Sequence, residues 1–342
     1  MLSSSTESAL NLRPLYLQLR RPSQSQVVSK DIDTFSAAKN PLKPWFVDTR
    51  FREPWGAGEA YINNDDKHTG NMARSFRLGF VLATLLADIS GAAQVGTPTL
   101  VSIQTPRGAT QAFILIKVDN PVASVILFTG GYGALGLKSA SSMKWGSEGF
   151  LVRSRDKFAD HDFMVAVVDA PSDQQQGMAP MFRMSGAHAG DIGALAAYLK
   201  KQESVPVWLV GTSMGTFSAA RGAIATKGID GLVLTSTITR AMPEWTLAKS
   251  HPEGVASMAL EEITVPTLIV SHRKDACKIT PAADAPKLSK RLIKANKVEV
   301  VWLDGDDPPQ SDPCGAKAPH DYFGMEANAV HTIAKFITDN SK

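Results

Sequence analysis

At 342 residues and 44 % hydrophobic composition, the chain can bury a sizeable core in one large domain or two small ones. Its 36 basic residues are matched by 33 acidic ones, and no basic run is interleaved with aromatics, so the formal charge of +3 argues against a nucleic-acid partner. No internal repeat at solenoid or propeller periods and no Cys/His spacing of a zinc site occurs, and no metal or cofactor is expected.

Residues 1–71 are rich in Ser, Asn, Pro, Arg and Asp, with scattered aromatics such as Trp45, Phe46 and Trp55 but no sustained period, so little fixed structure is expected. Met72 to Arg77 is a basic start, Leu78 to Ala87 an apolar core, and Asp88 to Gln94 a run rich in small residues. These are the three parts of a secretory signal peptide over 72–93, with cleavage expected after Ala93. Because such a segment belongs at the start of a chain, Met72 is the expected initiator and 1–71 a mis-called upstream extension. The competing reading is a buried helix over 76–87. The apolar core is about half the length a bilayer crossing needs, so no stable membrane span is expected, and the destination is the periplasm or the medium. Residues 94–342 are then about the size of one α/β domain.

Thr99 and its neighbours over 98–105, and 111–118, are β-rich runs joined through Pro106 to Ala109, an expected antiparallel hairpin. A third strand over 122–129 runs into Gly130-Gly131-Tyr132-Gly133, a loop able to point backbone N–H groups outward. Strand and helix then alternate. Strands are expected over 163–169, 205–210, 232–236, 267–271 and 298–303, and helices over 186–201, after Gly215, and near 323–338. Such alternation with short links predicts a doubly wound, mostly parallel sheet. In sheets of this kind functional groups collect at the carboxyl ends of the strands.

The strand from Val205 ends abruptly in Gly211-Thr212-Ser213-Met214-Gly215, and small and apolar residues from Thr216 to Ala225 suit a helix packed closely on it. A Gly-x-Ser-x-Gly turn between strand and helix lifts a serine hydroxyl clear of the sheet, where a base can take its proton. The bare motif is weak; the strand and helix around it give it weight. Past the strand at 267–271 stands Asp275. After the strand at 298–303, a long loop carries His320. Rivals for the acid are Asp304, Asp306 and Asp307, with Asp169 and Asp173 after an earlier strand. Of the other histidines, His161, His188, His251 and His272 precede the last strand, and His331 falls inside the final helix.

Serine, acid and histidine in the order Ser213, Asp275, His320, each just past a strand, resemble the α/β-hydrolase superfamily over residues 96–340. The resemblance implies a sheet of about eight strands without a large cap, and hydrolysis through an acyl-enzyme. It makes Ser213 the nucleophile, His320 the base and then the acid, and Asp275 the group that orients the imidazole. The oxyanion hole would use the N–H of Met214 and one from the loop after the third strand, at Gly131 or Tyr132. That loop departs from the His-Gly-Gly-Gly form of many lipases and esterases.

The two cysteines, Cys277 and Cys314, lie two residues after the proposed acid and six before the proposed base. In an exported chain they are expected to pair, tying the two loops together and stabilising the fold by about 3 to 4 kcal/mol in the chain-entropy picture. The substrate walls are less legible: Met178, Met181 and Phe182, with Trp245 from the connection over 239–262, are the candidates for an apolar pocket. The expected activity is that of a secreted serine hydrolase on carboxylic esters. The alternatives are a peptidase or amidase with the same triad, a lyase or haloperoxidase needing no cofactor, and a silent binding protein on the same fold.

Overall fold

The computed structural model describes residues 94–305 and 307–341; the expected upstream extension and signal peptide over 1–93, and Asp306, lie outside the described residues. The chain enters as the hairpin β1 (Thr99–Gln104) and β2 (Thr110–Ile116), paired antiparallel with Thr99 opposite Leu115. Strand β3 (Ala123–Phe128) is followed by a two-stranded ribbon, β4 (Leu137–Ser139) with β5 (Ser142–Met143), and the short helices α1 (Phe150–Arg153) and α2 (Arg155–Ala159). Next come β6 (Phe163–Val168), α3 (Pro180–Arg183), α4 (Gly186–Gln202), β7 (Val207–Thr212), α5 (Gly215–Ala225) and β8 (Gly231–Thr235). The chain closes with β9 (Thr267–His272), α6 (Ala285–Arg291), β10 (Val298–Leu303) and α7 (Glu326–Asp339).

Eight strands form one sheet in the order β1-β2-β6-β3-β7-β8-β9-β10. Strand β2 pairs antiparallel with both neighbours, and every pairing from β6 to β10 is parallel. This is the doubly wound sheet expected from the alternation of strands and helices. Every residue of β3, β6, β7, β8 and β9 is buried, as strands covered on both faces must be. Strand β7 shows how the two faces divide. Val207 and Leu209 join Ile192 and Leu195 of α4 and Phe217 of α5, while Trp208 and Val210 join Phe150 of α1, Phe158 of α2 and Phe336 of α7.

Boundaries moved where backbone geometry outweighs side-chain pattern. The strand expected over 205–210 begins two residues later and runs on through Gly211 and Thr212, because Gly211 pairs with Phe128 and Thr212 with Thr235. The last helix starts at Glu326 instead of near 323, since Tyr322 and Gly324 sit at φ 58° and 79° and cannot be helical. The short elements β4, β5, α1, α2 and α3 span two to five residues, too few for a period to show in the sequence.

Candidate active site

Ser213 occupies the one-residue gap between the β7 end and Met214, which heads α5, and its backbone is left-handed at φ 50°. A non-glycine residue held there stores about 1 to 3 kcal/mol of strain, which the surroundings must hold in place. They do so from both sides. The Ser213 N–H donates to Thr235 O at 3.1 Å, and its carbonyl accepts from Thr216 N at 3.0 Å and Thr216 Oγ1 at 2.5 Å. Gly215 is forced to be small, because a Cβ there would collide with Phe128 O and come within 2.8 Å of Thr129 O. Gly130 lies directly over the serine: a Cβ on it would stand 3.1 Å from Ser213 Cβ and 3.7 Å from Oγ.

Asp275 and His320 meet beside the ends of β9 and β10. His320 sits in a 3₁₀ turn (Pro319–Asp321), and its Nδ1 lies 3.0 Å from Asp275 Oδ2, with both side chains buried. Sequence reasoning did not single out Thr280. Its hydroxyl donates to Asp275 Oδ2 at 2.9 Å and lies 3.0 Å from His320 Nδ1, closing a triangle with the pair. With the hydroxyl proton on the carboxylate, both oxygens accept from Nδ1–H, and Nε2 keeps the lone pair a base requires. The other carboxylate oxygen accepts from Cys277 N at 2.9 Å, and Cys277 is disulfide-bonded to Cys314 with a Cα separation of 4.7 Å.

The His320 backbone is pinned as firmly as its ring. Its carbonyl accepts from Ser236 Oγ at 2.6 Å; Ser236 Oγ also contacts Tyr322 Oη at 3.3 Å, and Tyr322 Oη donates to Val270 O at 2.9 Å. Ser236 (φ 43°) and Tyr322 (φ 58°) are left-handed as well, so three of the five non-glycine residues with positive φ among the described residues border this site. Thr235, the last residue of β8, holds the serine backbone and Ser236, the next, the histidine backbone, so adjacent residues tie the two. No hydrogen bond joins Ser213 Oγ to the imidazole among the described residues; Nε2 is the ring nitrogen that Asp275 and Thr280 leave for it.

Burial alone would lower the His320 pKa, but the Asp275 hydrogen bond and the charges of Asp275 and Asp321 outweigh it and raise it. Burial raises the pKa of Asp321, although its carboxylate accepts from Phe150 N at 2.7 Å and Arg153 Nη1 at 3.2 Å. Asp275, Cys277 and His320 place one ligand-type atom each within 4.8 Å of one another. The Cys277 sulfur is spent on Cys314, however, so the set offers a metal no thiolate.

The rival acids do other work. Asp169 accepts from the N–H groups of Leu135, Gly136, Leu137 and Ala170 at 2.6 to 3.2 Å, shaping the segment behind the glycine loop. Asp173 is paired with Arg107, while Asp304 and Asp307 are exposed. His272 Nδ1 accepts from Lys274 N at 3.0 Å, so its Nε2–H donates to Gly305 O at 2.7 Å, bridging the ends of β9 and β10. The rings of His161 and His331 stand 5.6 Å apart, between the turn before β6 and α7. His251 lies against Ser250.

Around the glycine loop, Met178 is buried against Ala134 and Ala170, and its N–H donates to Tyr132 O at 2.8 Å. Tyr132 is 71 % exposed and Met181 48 % exposed, while Phe182 is half-buried between His188 and Arg107. Trp245 packs partly buried on the α5 face of the core. Of the four residues expected at the substrate walls, Met178 supports the loop from beneath, Met181 is exposed, and Phe182 and Trp245 are partly buried.

Neither a family model nor a curated protein sequence matches the chain. Solved structures do. An esterase of Pyrococcus furiosus, in two crystal forms, superposes with TM-scores of 0.51 and 0.53 at 15 % identity, covering 72 % of this chain and 93 % and 92 % of the esterase. A puromycin-hydrolyzing peptidase of Mycobacterium tuberculosis superposes at TM-score 0.50 and 12 % identity, covering 71 % of this chain and 39 % of the peptidase. At such identities the likeness is one of fold.

Proposed function

We propose, from the premise that this chain has the α/β-hydrolase fold its sheet order and structural neighbours show, that it is a serine hydrolase acting through an acyl-enzyme on carboxylic esters. The observation that supports this reading is the left-handed Ser213 at the end of β7 together with a buried His320–Asp275 pair, the backbones of Ser213 and His320 being held by Thr235 and Ser236, adjacent residues at the end of β8. In the proposed reaction His320 Nε2 takes the Ser213 proton as Oγ attacks the ester carbonyl. Asp275 and Thr280 hold the proton on Nδ1, so the imidazolium that forms stays oriented and stabilised. His320 then returns a proton to the leaving alcohol, and water repeats the sequence on the acyl-enzyme. The oxyanion is met by the Met214 N–H and a second N–H from the glycine loop.

Export is part of the proposal, and the Cys277–Cys314 disulfide supports it, since such bonds persist in oxidising compartments. No helix among the described residues is long and apolar enough to cross a membrane. The test is labelling with a fluorophosphonate probe, for wild type and for Ser213→Ala. Stoichiometric labelling that disappears in the variant is expected; an unlabelled wild type would favour a silent binding protein. Faster turnover of short acyl esters than of matched peptide amides is expected, and the reverse preference would make the enzyme a peptidase.

A further inference from the structure

We infer that Arg183 is a positioning residue for the oxyanion hole: its buried guanidinium holds the Gly131 carbonyl, and thereby presents and polarises the Tyr132 N–H as the second donor beside Met214. The inference rests on the serine-hydrolase reading of Ser213 and deepens it.

Arg183, the last residue of α3, is fully buried, yet all three of its hydrogen bonds go to uncharged oxygens. Nε donates to Met178 O at 3.2 Å, Nη1 to Ser218 Oγ at 3.1 Å and Nη2 to Gly131 O at 3.1 Å. A cation in the interior is costly and is normally matched by a carboxylate. Of the acids in this region, Asp173 and Asp191 are taken by Arg107, and Asp169 is engaged by the N–H groups of Leu135, Gly136, Leu137 and Ala170. The nearby His188 adds no compensating charge. Burial, with Arg183 and Arg107 adding to it, holds its pKa at about 3, and neither ring nitrogen has a hydrogen-bond partner among the described residues. An uncompensated positive charge therefore remains beneath the loop from Gly130 to Gly133. The loop is moulded to it: Gly133 has φ 70°, and a Cβ there would run into the guanidinium and come within 2.7 Å of Met178 Cε.

In a trans peptide the C=O and N–H point in opposite directions, so a carbonyl bound on one side fixes an N–H on the other. Arg183 binds the carbonyl of the Gly131–Tyr132 peptide, and the N–H it fixes is that of Tyr132. The Gly131 N–H belongs to the preceding peptide, which Arg183 does not touch. Hydrogen bonding of the C=O to a cation also strengthens the N–H at the other end as a donor. The next carbonyl, Tyr132 O, accepts from Met178 N, so two successive peptides of the loop are tied down. Ser218, the remaining Arg183 partner, lies on α5, the helix that Ser213 precedes, so one side chain links the loop to the nucleophile element. A charge placed there gains most when negative charge develops on the substrate oxygen, which makes its effect one on the transition state.

The experiment compares Arg183→Gln with Arg183→Lys. Both are shorter than arginine and both can donate; they differ in charge. Rates are expressed per active site counted by fluorophosphonate labelling taken to completion, so a poorly folded fraction does not enter. For Arg183→Gln the expectation is a kcat lower by about tenfold to a hundredfold with KM little changed, and slower labelling, somewhat less than the loss of a direct oxyanion donor. Arg183→Lys is expected to recover most of the difference. Wild-type kcat per site in Arg183→Gln, or losses in Arg183→Lys that match those in Arg183→Gln even at the low-pH end of the pH–rate profile, where a buried lysine is protonated, would overturn the role assigned to the charge. Absence of labelling in the wild type would instead remove the serine-hydrolase reading itself.

Discussion

At the scale of single residues, the site turns on what surrounds His320 Nδ1. With His320 in its proposed role as the base, the raised pKa is expected to place the acid limb of kcat/KM above about pH 6.5, because only the neutral imidazole can take a proton. The sign for stability is opposite. A group whose folded pKa is raised contributes stability fully below about pH 6.5, and that contribution is lost as pH rises through the folded value. Activity is thus expected to rise, and this increment of Tm to fall, over the same pH interval, measurable by rate profiles and melts in parallel. Thr280 gives a sharper test. Removing its hydroxyl in Thr280→Val leaves the Asp275 charge to the imidazolium alone. The acid limb should move to higher pH, and kcat/KM should fall by about fivefold, the equivalent of one hydrogen bond of about 1 kcal/mol. Thr280→Ser should restore both; a limb that stays in place in the valine variant would deny the hydroxyl its part.

At the scale of elements, β7, the serine corner and α5 form one rigid unit, and the close approach at Gly215 is its tightest point. Gly215→Ala sets a methyl against the Phe128 carbonyl, backbone that cannot swing aside. A loss of about 2 kcal/mol or more is expected, read from urea melts, together with a displaced glycine loop and slower probe labelling. The long strands are legible in the sequence because fully buried strands appear as unbroken apolar runs, as from Phe163 to Val168. The places of Ser213 and Asp275 are legible for a related reason, each following a buried strand, whereas His320 comes at the end of a long loop after β10, a partly buried edge strand that carries Glu299. Thr280, Ser236 and Arg183 are not legible. Each has a partner 35 to 84 residues away in sequence (Ser218 for Arg183, His320 for Thr280 and for Ser236), and such contacts exist only once separate loops have been folded together. Arg183 stands inside the stretch of methionines that reads as a pocket wall, where the dominant signal is hydrophobic and a single charge does not stand out.

At the scale of the molecule, the sheet delivers the serine from its centre and the acid and histidine from strands toward one edge, and the covalent link Cys277–Cys314 fastens the two outer loops. Opening it with Cys314→Ser is expected to cost about 3 to 4 kcal/mol by the chain-entropy argument. Since Cys277 N also donates to Asp275, activity should fall before the fold does as reductant is titrated; activity and melting that decline together would make the bond purely structural. The central claim is that Ser213 carries an acyl group during turnover. It is tested most directly by acid-quenching the wild-type enzyme with a p-nitrophenyl ester and weighing the peptides. The expected result is an added mass equal to the acyl group, confined to the peptide containing Ser213. Turnover of the ester with no acyl adduct on that peptide, or an adduct that persists in Ser213→Ala, would contradict it.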